Sequence, residues 1–532
     1  MATEGDSVGE ATFHIGDRVS CEGERATVLF VGAVDGSDGL WVGVEWDHPE
    51  RGKHNGRVKG KQYFLTSHET GGSLVRPRKL SRPVQCTEAV VERYGIIINT
   101  ESTVDRDELD ALQRDLNARF VQVIGLTKLN KKQSKLDLLK NVYLRECLIT
   151  GDNPPLLGEV CPSIEELDLA ENLLNSWAAV ADIVRQLPRL RVVNLSENRL
   201  LGPDASLRPA FATVRILLAN RQRYTWSEVL ECACMWPHVH RLTLVTNKIS
   251  QLQAPPPGLF QQLDSLDLDS NPIEDWSEIL KLAALPRLRE LGLANTGLRR
   301  IEVPSDATDL FPALHSMVLD GNCIDEWGSV DAMDRLPSLV DITLRNNPLS
   351  ASDRPESVRE LIIGRIGKLK VLNRTEVTRE ERRWAELDYL RRFGPAWREA
   401  GGRLDATERG DTWRRFLETH PRYPQLCEVW GAPEDSELKV TADTISANMV
   451  SVEIRRADSD AEEDVFQRRL PLAMRLSKLK VLVNKLLRGN IKRLDLSYRS
   501  VQRPDWEIEM DRERDLRFYG VEEGDQIIAR YY

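Results

Sequence analysis

The chain has 532 residues, long enough for more than one domain, and its formal charge of −10 with a pI of about 5.6 argues against a general nucleic-acid binder. It contains no apolar run of about 18 residues, the length a membrane helix needs, and its first residues, Met1 to Ser7, are too acidic for a secretory signal. The eight cysteines are scattered, with only Cys232 and Cys234 close together, so the reduced thiols of a cytosolic protein are expected, with no metal and no cofactor.

Charge divides sharply near the N-terminus. Residues 1–50 hold two arginines and eleven acids, whereas residues 51–82 hold nine basic side chains and one acid, Glu69. So one-sided a block predicts a footprint for an anionic partner. Gly52, Gly56 and Gly60 recur at four-residue steps, and glycine permits both positive φ and close approach of a ligand backbone. Lys53 has no evident apolar neighbour for its stem, which favours a ligand role. Trp41, Trp46, Tyr63 and Phe64 supply apolar walls; for Trp41 and Phe64, core packing and groove lining are equally good readings.

The run Trp41 to Asp47, then Gly52-Lys53-His54-Asn55-Gly56, Tyr63-Phe64 and a closing Arg76-Pro77-Arg78-Lys79-Leu80, resembles a CAP-Gly domain. The resemblance implies a small β-rich module over residues 1–83 that receives an acidic, aromatic-ended protein tail. Its groove would be lined by Trp41, Trp46, Gly52, Lys53, His54, Asn55, Gly56, Lys61, Tyr63, Phe64 and Arg76. The family's central motif is usually Gly-Lys-Asn-Asp-Gly. Here His54 and Asn55 replace Asn and Asp, which removes a negative charge and adds a positive one if the imidazole is protonated. Residues 84–120 join this module to the next, with one helix expected near 107–120.

A second domain, residues 121–375, is marked by repetition. The pattern L-x-x-L-x-L-x-x-N begins at Leu139, Ile164, Leu190, Val214, Val239, Leu263, Leu288, Leu314 and Leu339, in steps of 24 to 26 residues. Nine leucine-rich repeats are predicted, each a short strand feeding a shared solenoid core. The closing Asn, suited to bond backbone groups where the strand turns away, is Cys147, Gln222 or Thr296 in three repeats. The return segments read as helices, for example Ser176 to Leu187 with Ser176 as N-cap. Trp177, Trp226, Trp276 and Trp327 recur in alternate repeats as packing residues, and Cys232-Ala233-Cys234 is expected to be buried packing in a return helix rather than a metal site. Residues 376–432 are charged and helical and read as a cap on the last repeat.

Residues 433–532 change texture. Hairpin-like alternation over 438–455 and 465–471 precedes an amphipathic helix over 475–488 ended by Gly489. Strands follow at Leu494–Val501 and Trp506–Met510, then the turn Tyr519 to Asp525 and a final strand. This order resembles a ubiquitin-like domain, without a Gly-Gly tail.

The fold class is thus a multidomain α+β chain: a CAP-Gly barrel, an α/β solenoid and a ubiquitin-like β-grasp. That combination resembles the tubulin-specific chaperone E family, also called tubulin-folding cofactor E. The resemblance implies a cytoplasmic, cytoskeleton-associated and non-enzymatic protein. It would capture α-tubulin, the groove on its C-terminal tail and the repeats on its body, while αβ-tubulin heterodimers are assembled or taken apart. Other tubulin-folding cofactors are implied as partners, and proteasome or ubiquitin-receptor proteins as partners of the C-terminal domain. Two other classes stay open: a microtubule-end adaptor, and a ubiquitin-pathway adaptor. The first lacks a coiled-coil heptad run; the second lacks RING-type Cys/His spacing.

Overall fold

The computed structural model describes residues 13–95, 135–304, 310–350, 355–405, 409–434, 449–457, 465–487, 493–501, 507–510, 514–516 and 518–532. They form two compact units, residues 1–378 and 379–532. The helix expected at 107–120, and Gly489, lie outside the described residues.

In the first unit, β1 (Arg18–Cys21), β2 (Glu24–Val34), β3 (Ser37–Trp46) and β6 (Gly72–Val75) make an antiparallel sheet in that order. The short strands β4 (Arg57–Val58) and β5 (Lys61–Gln62) pair as a hairpin beside it. Alternation along the strands buries Val19, Val28, Val42, Val44 and Val75 on one core. Strand Val84–Gln85 and helix Cys86–Tyr94 follow, and the strand pairs with Ile149–Gly151 of the first repeat. Residues 84–95 are therefore part of the folded unit rather than a plain joiner.

The repeats form an eleven-stranded sheet. Each strand starts two residues after the first apolar position of its motif, from Asn141–Tyr143 to Asp341–Thr343. Those first positions, Leu139 to Leu339, are all buried. A further strand, Val371–Leu372, continues the array and folds back on Thr375–Glu376. The buried asparagines form the expected ladder. Asn271 Nδ2 donates to the carbonyls of Leu244 and Leu268, both at 2.9 Å, while its Oδ1 accepts from the N–H of Asn247 at 2.9 Å. Gln222 and Thr296 stay in the ladder by other geometry: Gln222 Oε1 accepts from the Leu200 N–H at 3.5 Å, and Thr296 Oγ1 donates to Asn322 Oδ1 at 2.9 Å.

The return segments are helical only in part. Helices begin at Trp177, Trp226, Trp276 and Trp327, whereas the segments between them are a 3-10 turn at Ala205–Phe211 or lack regular structure. Large aromatic residues alternate along the same segments. Trp177, Trp226 and Trp276 each pack on a phenylalanine of the following segment, Phe211, Phe260 and Phe311, with ring centroids 5.7, 6.1 and 6.3 Å apart. Ser176, Thr225 and Asp275 cap the first three helices with their side chains, satisfying donors that the first turn leaves open. Cys232 lies in the second of these helices, buried, and burial pushes its thiol up to about 12.

On the strand surface Asp267 and Asp269 stand together. Burial, and then the charges of Asp267 and Asp320, raise the Asp269 carboxyl to about 6 even though it accepts the Ala294 N–H. A carboxyl raised above its unfolded value of about 3.9 contributes stability that is present below about pH 4 and lost as pH rises through about 6. Asp267→Asn is therefore expected to stabilise the protein at pH 7, by on the order of 1 kcal/mol, with the gain vanishing by about pH 5. Thermal melts of both proteins at the two pH values check this; an equal gain at both would refute the charge explanation.

The second unit holds helices Arg379–Glu399, Asp411–Thr419 and Tyr423–Trp430 and a five-stranded β-grasp sheet. In that sheet Met449–Arg456 pairs antiparallel with Val465–Pro471 and parallel with the last strand, Gln526–Tyr531. Helix Leu476–Leu487 packs Leu476, Leu479 and Val483 on the sheet's core. The turn before the last strand is held by buried Asp525, whose carboxylate accepts from the N–H groups of Val501 and Glu522, both at 2.9 Å. Helix 379–399 groups with this domain, its Trp384 ring 6.0 Å from Phe518. The repeats instead end in helix Pro355–Arg365 and the 371–376 hairpin. Within the second unit Tyr389, Phe416 and Tyr423 are buried.

Candidate functional site

The basic stretch after β3 is a loop pinned across the sheet edge. The Lys53 N–H donates to the Gly72 carbonyl at 2.7 Å, and the Gly72 N–H returns to the His54 carbonyl at 2.8 Å. That exchange fixes the backbone and leaves the Lys53 side chain exposed, with no ion-pair or hydrogen-bond partner among the described residues. His54 is half-buried, and its Nδ1 accepts the Gly56 N–H at 3.0 Å. Burial, then the charge of Lys53, lowers its pKa. The imidazole is therefore neutral at pH 7, and the positive charge that protonation would have added is missing. The Asn55 side chain accepts the Arg57 N–H, and its carbonyl holds Gln62 Nε2 at 2.9 Å.

The glycines serve the module's own packing. A Cβ on Gly52 would sit 1.9 Å from the Thr70 carbonyl oxygen, and one on Gly56 2.1 Å from that of Phe64. Gly60 adopts φ +87 in the β4–β5 turn with open space around it. Close approach at Gly52 and Gly56 is thus to the chain itself rather than to a ligand.

Two aromatic residues expected in the groove are core residues. Trp46 is buried and donates from Nε1 to Ser73 Oγ at 2.9 Å. Phe64 is buried against the missing side chain of Gly43, where a Cβ would approach its ring to 2.5 Å. Their alternation on strand and loop points them inward, which the apolar run could not distinguish. Tyr63 is half-buried; its hydroxyl accepts the Asp35 N–H at 2.9 Å, and Lys61 lies 5.2 Å over its ring while pairing with Asp35 at 2.9 Å. Arg76 stacks 3.9 Å over half-buried Trp41 and donates to the Asp38 carbonyl at 2.6 Å. Trp41 Nε1 has no hydrogen-bond partner among the described residues. The accessible part of the predicted set is therefore Lys53, His54, Asn55, Lys61, Tyr63, Trp41 and Arg76.

A second feature went unread in the sequence. Asp47, just past β3, docks the module on the repeats. Its carboxylate takes both terminal nitrogens of Arg18, one at 2.7 Å, and pairs with Arg199 at 2.8 Å. Its carbonyl accepts from Arg223 at 2.8 Å. Arg25 reaches Glu197 at 3.3 Å and Glu171 at 3.5 Å. Glu171, Glu197, Arg199 and Arg223 all follow their strands, so the module sits where the repeat strands end. The contacts come from Gly16, Arg25 and Asp47, none of them in the predicted groove. Arg18 and Arg25 are the only arginines of the first 50 residues; their scarcity was the available signal, and it named no partner.

A basic-rimmed CAP-Gly module seated on a leucine-rich array, with a separate β-grasp unit, defines a multidomain CAP-Gly repeat protein. Residues 15–80 match the family model of the CAP-Gly domain and residues 237–394 that of a leucine-rich repeat. Tubulin-specific chaperone E of Bos taurus is 39% identical over 526 residues, covering 97% of this chain and 98% of its own length. That of Drosophila melanogaster is 32% identical over 534 residues, covering 97% and 98%. The chain belongs to the tubulin-specific chaperone E family. Among solved structures, the C-terminal ubiquitin-like domain of mouse tubulin-specific chaperone e is 30% identical, covering 17% of this chain and 94% of that one, with a TM-score of 0.16.

Proposed function

We propose that this chain is a tubulin-folding cofactor that captures α-tubulin during assembly and dissociation of the αβ heterodimer. The observation that carries the reading is Lys53, an ammonium exposed and unpaired among the described residues, on a loop whose backbone is fixed on both sides. Elsewhere on the same module, Lys61 over Tyr63 and Arg76 over Trp41 offer charge and ring surface to a tail of carboxylates with an aromatic end. The family name supplies the protein that bears such a tail. The Asp47 contact supports a bivalent arrangement, because a module fixed to the array presents groove and repeats together. Linking two weak contacts raises avidity by about 10²–10⁴. Dissociation of a heterodimer would then follow from preferential affinity for one subunit, through binding rather than catalysis. The place of action is the cytoplasm, on the cytoskeleton, with other tubulin-folding cofactors, and with proteasome or ubiquitin-receptor proteins at the C-terminal unit.

The test is binding of the purified chain to αβ-tubulin with intact and tail-trimmed α subunits. Loss of the terminal aromatic and acids is expected to weaken binding sharply; no change refutes the groove. Lys53→Glu is expected to weaken binding of a tail peptide about tenfold, or about 1.4 kcal/mol. The loss should shrink as salt is raised, and the melting temperature should stay unchanged. A tail affinity equal to that of the unaltered protein would remove Lys53 from the site.

A further inference from the structure

The opposite edge of the array, where the repeat strands begin, carries a row of side chains set by the motif. The second position of each repeat gives its carbonyl to two N–H groups of the next, as Arg191 does to Arg215 at 2.8 Å and Ile216 at 3.0 Å. This stacks Lys140, Glu165, Arg191, Arg215, His240 and Asp264 in line, one per strand spacing of about 4.8 Å. The two acids are already matched: Glu165 pairs with Lys140 at 2.8 Å, and Asp264 with His240 at 3.0 Å and Arg287 at 3.3 Å. Between them lies a cleft of about 640 Å³ lined by Glu165, Pro188, Arg189, Arg191, Thr213 and Arg215. Arg215 is anchored, donating to the carbonyls of Ala212 at 2.8 Å and Val214 at 3.1 Å. Arg189 and Arg191 are exposed and have no ion pair or side-chain hydrogen bond among the described residues.

We propose that this arginine cleft is a second anion-recognition site, for an acidic polypeptide segment. Three arginines line one cleft in a chain whose overall charge is −10, and planar guanidinium forks match carboxylates. The bounding acids, Glu165 and Asp264, stand four strand spacings apart, roughly 19 Å, and Arg191 and Arg215 between them stand one spacing apart, roughly 5 Å. That suits two or three neighbouring carboxylates. A nucleic acid would ask for a longer basic track and for rings on which bases stack, and no lining residue is aromatic. The CAP-Gly module docks where the strands end, so this cleft does not depend on the groove reading.

The experiment uses the full chain and a fluorescein-labelled hexaglutamate with an amidated C-terminus, which lacks the aromatic end and terminal carboxylate of a tail. Anisotropy at low salt is measured for the unaltered protein, the Arg189→Glu/Arg191→Glu variant, Arg191→Gln alone, and Lys53→Glu. Both arginines are exposed, and circular dichroism melts establish that each variant is folded. The double variant is expected to lose affinity by about tenfold or more, Arg191→Gln by about threefold, and Lys53→Glu by less than about twofold. Unchanged binding in the double variant overturns the proposal, as does a loss confined to Lys53→Glu. An oligonucleotide of equal charge that binds more tightly through the same arginines would overturn the assignment to a polypeptide.

Discussion

Replacing Asp47 with alanine is expected to destabilise the first unit by about 3–5 kcal/mol, because it leaves paired cations without their anion. The Arg18 side chain is 1% exposed, that of Arg25 15% and that of Arg199 21%. None can recover full hydration without moving the module off the repeats. The effect should therefore appear twice: as a lower urea midpoint, and as weaker binding to tubulin once groove and repeats no longer face a partner together. Burial pushes the Asp47 carboxyl up, but the Arg18 hydrogen bonds and the charges of Arg18, Arg199 and Arg25 outweigh it and hold the pKa low. A depressed folded pKa contributes stability present above the unfolded value of about 3.9 and lost as pH falls through the folded one. The difference between the two proteins should thus be flat across neutral pH and close only in acid. A midpoint shift worth less than about 1 kcal/mol, in the range of a surface ion pair, would mean that the contact does not hold the module.

Trp177→Ala is expected to cost about 3–5 kcal/mol, as for other fully buried aromatic truncations. The ring lies 5.7 Å from Phe211 and 5.4 Å from Trp236, so one side chain joins two successive return segments. Its Nε1 donates to the Tyr224 hydroxyl at 3.2 Å, which in turn donates to the Leu200 carbonyl at 2.8 Å. Truncation opens a cavity and strips a buried hydroxyl of its donor. A repeat array is quasi-one-dimensional, so a weakened junction should split urea unfolding into two transitions. Trp327, half-buried beneath the Arg365 guanidinium at 5.1 Å, should cost distinctly less when changed to alanine. Equal losses at the two positions would show that burial is not the cause.

The repeat frame was legible because one spacing recurs: the first apolar residue of every motif is buried, and the strand follows it at a fixed offset. The β-grasp was legible from strand and helix textures in their proper order. The residues expected to line a groove divide by burial, with Trp46 and Phe64 buried. An apolar run such as Trp41 to Trp46 gives period-two alternation, but which face looks inward is set by the sheet it joins, and Trp46 falls on the core side. The glycines were read as making room for a ligand, whereas Gly52 and Gly56 make room for carbonyls of the same module. The docking of Asp47 was invisible because its repeat partners lie more than a hundred residues away, and single arginines carry no period. Helices in every return segment were expected because leucine-rich periodicity constrains only the strand side.

The alternation of tryptophan and phenylalanine has a consequence for how such an array changes length. Trp177, Trp226, Trp276 and Trp327 stand 49, 50 and 51 residues apart, so the indivisible module is a pair of repeats. Excising one repeat would set two tryptophan segments, or two phenylalanine segments, side by side: steric overload in one case and a void in the other. Excising two would restore the seam. Growth or shrinkage of this solenoid by recombination should therefore be tolerated in doublets, although the strand motif alone would permit any number.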